Sequence, residues 1–393
     1  MRVLLLNAGS SSLKCSLVES EGRRVLARAT ADWAGAAAEY VRAGPDGVET
    51  PEAVPWRTHG EAVRRALDDL LPREGGASLA AVGHRIVHGG AFCAPVRIHD
   101  DVRSRIAALA ELAPLHNPPG LETLAAAEAR LPDVPHVAVF DTAFHAGMPP
   151  VARTYAVPDA WTRDFGIRRY GFHGSSHAWS AGRAAEMLGR PAKGLRLVVC
   201  HLGHGCSAAA IRDGRSIDTT MGFTPLEGLV MATRSGSIDP GAVLHVQRRH
   251  GMSAKEVEDV LNHESGLLGI SGVSADMREV LAAVRAGNER AQLALDVYTY
   301  RVRQAIGALA AALGGLDALV FTAGVGENAT EVRERTCHGL EHLGVALDAE
   351  ANRRCRPDAD VSKPDASVRV LVIEAREDLA MLAEVLKVIG RTR

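Results

Sequence analysis

Four consecutive apolar residues, Val3 to Leu6, stand between Arg2 and Asn7 and predict a short buried strand. Leu13, Cys15 and Leu17 then alternate with polar neighbours, as a second strand should. The AGSSS run from Ala8 to Ser12 is the turn between them. The same succession returns from Arg196 to Met221: an apolar strand, a Gly and Ser turn, a small-residue strand, the turn Asp213-Gly214 and a third strand. Gly9 and Gly203 are equivalent positions in the two units. Their repetition predicts a duplicated domain with two similar halves facing each other across a cleft.

Helical periodicity fills the intervals. Val63, Ala66, Leu67 and Leu70 share one face of a helix over Glu61 to Leu71, and a longer helix is expected over Arg290 to Leu313. Ser253 with Glu256 makes a capping box that starts another helix. The apolar stretch Ala305 to Gly324 is long enough to suggest a membrane span, but Asp317 and its glycines predict a buried helix followed by a strand. Strands alternate with helices, so the class is α/β. Ala43 to Glu52 and Arg356 to Ala366 read as surface loops, and a final helix, Asp378 to Val388, is expected to pack back on the N-terminal half.

Composition narrows the function. The 393 residues carry 45 Lys plus Arg against 47 Asp plus Glu, a formal net charge of -2. Without a basic block, neither a nucleic acid nor an anionic membrane surface is expected as a partner. The apolar run at the N-terminus is too short for a secretory signal, so a cytoplasmic location is expected. The 6 Cys show no CxxC pair and no metal-ligand spacing to His, and are expected to be buried thiols.

Three small-residue segments are placed to cradle phosphate. In the first, Asn7 to Ser12 followed by Lys14, backbone N–H groups, the Ser10 and Ser12 hydroxyls and a cation follow a strand, without Walker A spacing. The second is His201-Leu202-Gly203-His204-Gly205, and the third is Gly324-Val325-Gly326-Glu327-Asn328, ahead of a helix expected near Thr330. Charged groups at strand ends or in glycine-rich loops are the other signal. These are Asp141 after HVAVF, with His145 beyond, Arg85 and His88 in GHRIVHGG, His173 and His177 in YGFHGSSH, and Arg234 in TRSGSIDPG. Singly, each has an ordinary structural alternative, such as Arg234 anchoring its loop through Asp239.

Taken in order, NAGSSSLK, HRIVHGG, PLHNPPG, FDTAFH, RRYGFHGSSH, HLGHGCS, MGFTPLEGLVMATRSGSIDPG, SGVSADMRE and FTAGVGENA resemble the acetate kinase family from Arg2 to about Leu386. The resemblance implies two duplicated actin-like (ribonuclease H-like) domains, residues 1–140 with 377–393 and residues 141–376, closing on ATP. It implies reversible phosphorylation of acetate, Mg²⁺ or Mn²⁺ held by Asn7 and Glu377, and a homodimer. Lys14, His201 to Gly205, Asp276, Met277, Arg278 and Gly324 to Asn328 match nucleotide-binding segments. Arg85 matches the acyl-substrate cation, Asp141 the catalytic carboxylate, and His173 and Arg234 the transition-state stabilisers. Val87, Leu115, Phe172 and Pro225 match the apolar pocket.

Acetate is ionised at neutral pH, so Asp141 is expected to orient an arginine or a metal-bound water rather than act as a base. Propionate is the alternative acceptor, and a weakly catalytic nucleotide-binding module the alternative class. Two positions depart from the family pattern: His204 replaces the asparagine of HLGNG, and Ala375-Arg376-Glu377-Asp378 replaces TNEE. His204 is expected to tune nucleotide binding. Arg376 is expected to weaken the metal site or to bind phosphate.

Overall fold

The computed structural model describes residues 1–33, 37–44, 46–71, 79–113 and 117–390. They form two compact units, Met1–Ala146 with Arg376–Arg393, and Gly147–Ala375. Asp141 belongs to the first unit, beyond the expected limit at residue 140, because it directly follows a strand of the first sheet.

That sheet contains β1 (Arg2–Ala8), β2 (Ser12–Glu19), β3 (Arg24–Asp32), β4 (Ala38–Ala43), β5 (Glu49–Val54), β6 (Leu79–Ile86), β7 (Val96–Arg97) and β8 (His136–Phe140), in the order β5-β4-β3-β2-β1-β6-β8-β7. The segment expected as a loop from Ala43 to Glu52 instead includes the end of β4 and much of the edge strand β5, whose alternation is too polar to register as a strand signal. The second unit has β9 (Arg196–Leu202), β10 (Cys206–Arg212), β11 (Arg215–Thr219), β12 (Ala318–Thr322), β13 (Ala359–Asp360) and β14 (Arg369–Val372), ordered β11-β10-β9-β12-β14-β13. Part of the expected Arg356 to Ala366 loop is thus the short edge strand β13.

The duplication is visible in the ladders. In the first sheet β3, β2 and β1 are antiparallel, and β6 and β8 continue parallel to β1. In the second, β11, β10 and β9 are antiparallel, and β12 and β14 continue parallel to β9. Each core follows from its strands' burial on both faces. Leu4, Leu6 and Val82 pack with Ala62, Val63, Ala66 and Leu67 of the helix His59–Leu70. The helix Glu377–Ile389 lies so close to β6 that a Cβ on Gly83 would meet Val385 at 2.6 Å and Leu5 at 2.9 Å. In the second unit, the helix Glu289–Leu313 buries Leu295, Tyr298, Val302, Ile306 and Leu309, starts on an Asn288 cap and ends on left-handed Gly314. Among the described residues, no helix is long and apolar enough to cross a membrane.

Candidate active site

Strands β1, β6 and β8 run parallel, so their carboxyl ends share one edge, where α/β folds place their ligand sites. Asn7 stands near the end of β1, Arg85 near the end of β6, and Asp141 immediately after β8. Arg85 Nε donates to Asp141 Oδ1 at 2.9 Å and Nη2 donates to Oδ2 at 2.5 Å, a bidentate pair. Arg85 Nη1 donates to Asn7 Oδ1 at 2.9 Å, and Asn7 Nδ2 donates to Glu377 Oε2 at 3.1 Å. The Asp141 side chain is 1% exposed and that of Arg85 17%. Burial alone would lower the Arg85 pKa, but the Asp141 and Glu377 charges outweigh it and hold the guanidinium above its ordinary value.

The surrounding groups of this unit are placed by the hairpin. Asn7 and Lys14 are directly opposed in the β1–β2 ladder, so both point to one face, and Lys14 is exposed. The turn carrying Ser10 and Ser12 is closed by Gly9 N–H donating to Ser12 O at 2.8 Å, and His59 Nε2 donates to Gly9 O at 2.8 Å. Arg376 donates through Nε to Asp378 Oδ1 at 3.0 Å, so its charge is compensated by the next acid but one. Val87 is buried; Leu115 lies outside the described residues.

In the second unit, the β9–β10 turn carries His201 to Gly205, with Gly203 N–H donating to Gly205 O at 3.1 Å. His201 opposes Ser207 in the ladder. His201 Nδ1 lies 2.7 Å from Ser176 Oγ, and its ring stacks on His173 at 4.1 Å between centroids. His173 Nδ1 and His177 Nε2 lie 2.9 Å and 2.8 Å from the single Ser207 hydroxyl. His173 adopts φ 57 at the start of the helix Gly174–Met187, a left-handed conformation that costs energy in a residue with a Cβ. A Cβ on Gly205 would stand 3.4 Å from both Arg234 Nη1 and His173 Nε2, so these two groups converge on the space that glycine leaves. Arg234 Nη1 donates to Pro225 O at 3.3 Å, and burial lowers the Arg234 pKa. Desolvation and the Arg234 charge lower the His204 pKa against the pull of Asp276, which favours a neutral imidazole there.

Other predicted residues have evident structural work. Asp276 caps the helix Met277–Arg285, accepting from Arg278 N–H at 2.8 Å, and the Arg278 side chain pairs with it; Met277 is buried. Asp239 caps the helix Pro240–His250. Phe172 is buried. Residues Ala323–Asn328, which include the third small-residue segment, are a short helix after β12, with the expected helix following at Thr330–Cys337. The Cys expectation holds for Cys15, Cys200, Cys206 and Cys337, whereas Cys93 is exposed and Cys355 half-buried.

Two supports escaped sequence reasoning. Arg333, 1% exposed, donates to Gly326 O at 2.9 Å, to Glu327 O at 2.8 Å and to Asn352 Oδ1 at 2.7 Å. It satisfies the terminal carbonyls of the short helix. Arg169 Nη1 donates to the carbonyls of Thr219, Thr220 and Met221 at 2.9, 3.0 and 3.2 Å, and Nη2 donates to Glu227 at 2.8 Å. Tyr155 donates to Glu227 and accepts from Phe223 N–H at 2.9 Å. Together they fix the chain leading to Pro225.

The family profile described as the acetokinase family matches residues 2–383. An acetate kinase of Rippkaea orientalis is 46% identical over 398 residues, covering 98% of each chain. Among solved structures, an acetate kinase of Porphyromonas gingivalis superposes with a TM-score of 0.90 at 39% identity over 99% of both chains. A propionate kinase of Francisella tularensis gives 0.91 at 37% identity over 98% of both. Likeness of this extent, in sequence and in a fold made of two matching sheets, leads to one conclusion: the chain belongs to the acetokinase family.

Proposed function

We propose that the protein is a kinase of short-chain carboxylates, transferring the γ-phosphoryl group of ATP reversibly and in line to acetate. The observation that carries this reading is Arg85, a half-buried cation held by Asp141 and Asn7 at the carboxyl edge of a parallel sheet. A fixed guanidinium is suited to orienting a carboxylate, with its planar donors matched to two oxygens. Acetate has a pKa of about 4 to 5 and attacks without losing a proton, so charge stabilisation is the main catalytic demand. Asp141 has both oxygens engaged by Arg85 and acts as its positioning residue rather than as a base. Arg234 and His173 stabilise the charge spread over the transferring phosphoryl oxygens. His201 to Gly205, Asp276 to Arg278 and Gly324 to Asn328 line the nucleotide. Lys14 binds its phosphates, and Val87, Leu115, Phe172 and Pro225 accept the methyl group.

Asn7 and Glu377 would hold Mg²⁺: an amide oxygen and a carboxylate are hard donors on adjacent side chains, although the Asn7 nitrogen faces Glu377 and its oxygen accepts from Arg85, a bond that it would exchange for the cation. Among the described residues, no group of three or more His, Cys, Asp or Glu could form a metal cage. Mg²⁺ is commonly held by one or two protein oxygens plus substrate phosphates. When bound, Mg²⁺ neutralises the phosphate charge that would repel the incoming carboxylate.

We place the enzyme in the cytoplasm as a homodimer. The helix Pro240–His250 buries none of its residues and leaves Leu244 52% exposed, which supports a second copy covering it; light scattering tests this. Activity is tested by trapping acyl phosphate as the hydroxamate, using ATP, Mg²⁺ and a panel of formate, acetate, propionate and butyrate. Turnover greatest with acetate is expected. A maximum at propionate would shift the acceptor by one methylene, worth about 1 to 3 kcal/mol in such pockets. Nucleotide binding without acyl phosphate from any acid would refute the reading.

A further inference from the structure

The Ser207 hydroxyl has one proton and two lone pairs. It is fully buried, and among the described residues its only side-chain partners are His173 Nδ1 at 2.9 Å and His177 Nε2 at 2.8 Å. Its proton therefore goes to one imidazole, and the other imidazole donates an N–H to it. The two rings are locked in opposite senses: when Ser207 donates to His173, His177 donates to Ser207, and the reverse.

The choice between these arrangements sets what His173 presents on its far side. If His173 accepts at Nδ1, its neutral ring carries the proton on Nε2, the atom that converges with Arg234 Nη1 on Gly205. If His173 donates from Nδ1, a neutral ring turns a bare lone pair toward a phosphoryl oxygen. A doubly protonated ring would add a second cation beside Arg234, with the His201 ring stacked 4.1 Å away on its face. Only the first arrangement supplies a hydrogen-bond donor without a new buried charge.

We infer that Ser207 and His177 are positioning residues that hold His173 as its neutral Nε2–H tautomer, making it a donor to the transferring phosphoryl group. The inference rests on the role given to His173 under the proposed function. It explains why a serine is fully buried between two histidines, and it assigns His177 a task in the reaction without any contact with substrate.

The test uses the full-length protein with ring-¹⁵N histidine, His173 being assigned by difference against His173→Gln. The ring shifts should report Nε2–H for His173, with Nδ1–H becoming populated in Ser207→Ala. In the hydroxamate assay, Ser207→Ala should lower kcat about tenfold with the KM for acetate little changed. His177→Gln keeps an N–H within reach of Ser207 and should recover most of what His177→Leu loses. Adding Ser207→Ala to His173→Ala should cost nothing further, since Ser207 acts through His173. An unchanged tautomer in Ser207→Ala, or losses that multiply in the double variant, would overturn the inference. Full activity in His173→Ala would instead overturn the role of His173 itself.

Discussion

Replacing Asp141 by Asn removes one charge and one of the two Asp141 oxygens that accept from Arg85, and turns an amide NH₂ toward a guanidinium N–H. Breaking a buried ion pair by changing one partner costs about 3 to 5 kcal/mol when nothing compensates the charge that remains. Arg85 keeps some compensation. Its side chain is 17% exposed, and Glu377 Oε2 lies 3.9 Å from Nη1. A cost below that range, about 2 to 3 kcal/mol, is therefore expected. At about 1.36 kcal/mol per factor of ten, that is a fall of about 30- to 150-fold in kcat/KM for acetate, provided the pair's energy goes into holding Arg85 for the transition state. The assay is hydroxamate trapping across pH 5 to 9, beside urea unfolding to separate lost activity from lost structure. Because acetate needs no base, the pH–rate curve should drop as a whole and keep its shape. Disappearance of the acid limb alone would show Asp141 titrating as a base, and a fall of less than about threefold would show that Arg85 does not depend on it.

Three further expectations concern the scaffold. His136 Nε2 donates to Leu131 O at 3.1 Å, so its Nδ1 accepts from His84 Nε2 at 2.8 Å, and burial with the neighbouring His136 holds the His84 pKa well below its usual value. A depressed pKa contributes stability above the unfolded value of about 6.5 that is lost as pH falls below it, by up to about 1.4 kcal/mol per pH unit, so His84→Gln should flatten the urea midpoint between pH 7 and 5.5. Gly83→Val should cost about 1 to 3 kcal/mol by pushing the helix Glu377–Ile389 off β6, measured as a lower urea midpoint; an unchanged midpoint would mean that the helix shifts freely. Arg333→Met leaves the Gly326 and Glu327 carbonyls without their donor and should raise the KM for ATP more than that for acetate; an equal rise would point to general loosening.

Much of this was legible because it is local. Val3 to Leu6 and the alternation after Leu13 gave β1 and β2, and the repeat at Arg196 gave β9 to β11, because strand period and turn chemistry act over a few residues. The Ser253–Glu256 capping box formed as the spacing required. The candidate residues were found by their place at strand ends, but their partnerships were not. Arg85 meets Asp141, 56 residues away, and Asn7, 78 away, while Asn7 meets Glu377 across 370. No periodicity spans such intervals; what brings these groups together is the crossover of parallel strands, which aligns their carboxyl ends only once the sheet exists.

The supports were hidden for a further reason. Arg333 sits in TEVRER and Arg169 in RRYGFH, where a charged residue reads as solvated, and burial became favourable only because backbone carbonyls were waiting for each guanidinium. A main-chain carbonyl leaves no trace in a sequence, so an arginine whose partners are carbonyls is indistinguishable there from one in water. Ser207 differs in degree. Its ladder partner His201 stands across a turn whose glycines are readable, and a hydroxyl there is the expected small residue. Its choice between two histidines depends on where the start of the helix Gly174–Met187 delivers His173 and His177, the latter 30 residues from Ser207 in the chain. Sequence reading therefore recovers the groups proposed to face the substrate more readily than the buried side chains packed behind them. Ser207→Ala, which deletes a single hydroxyl, probes the part of the site that the sequence left least visible.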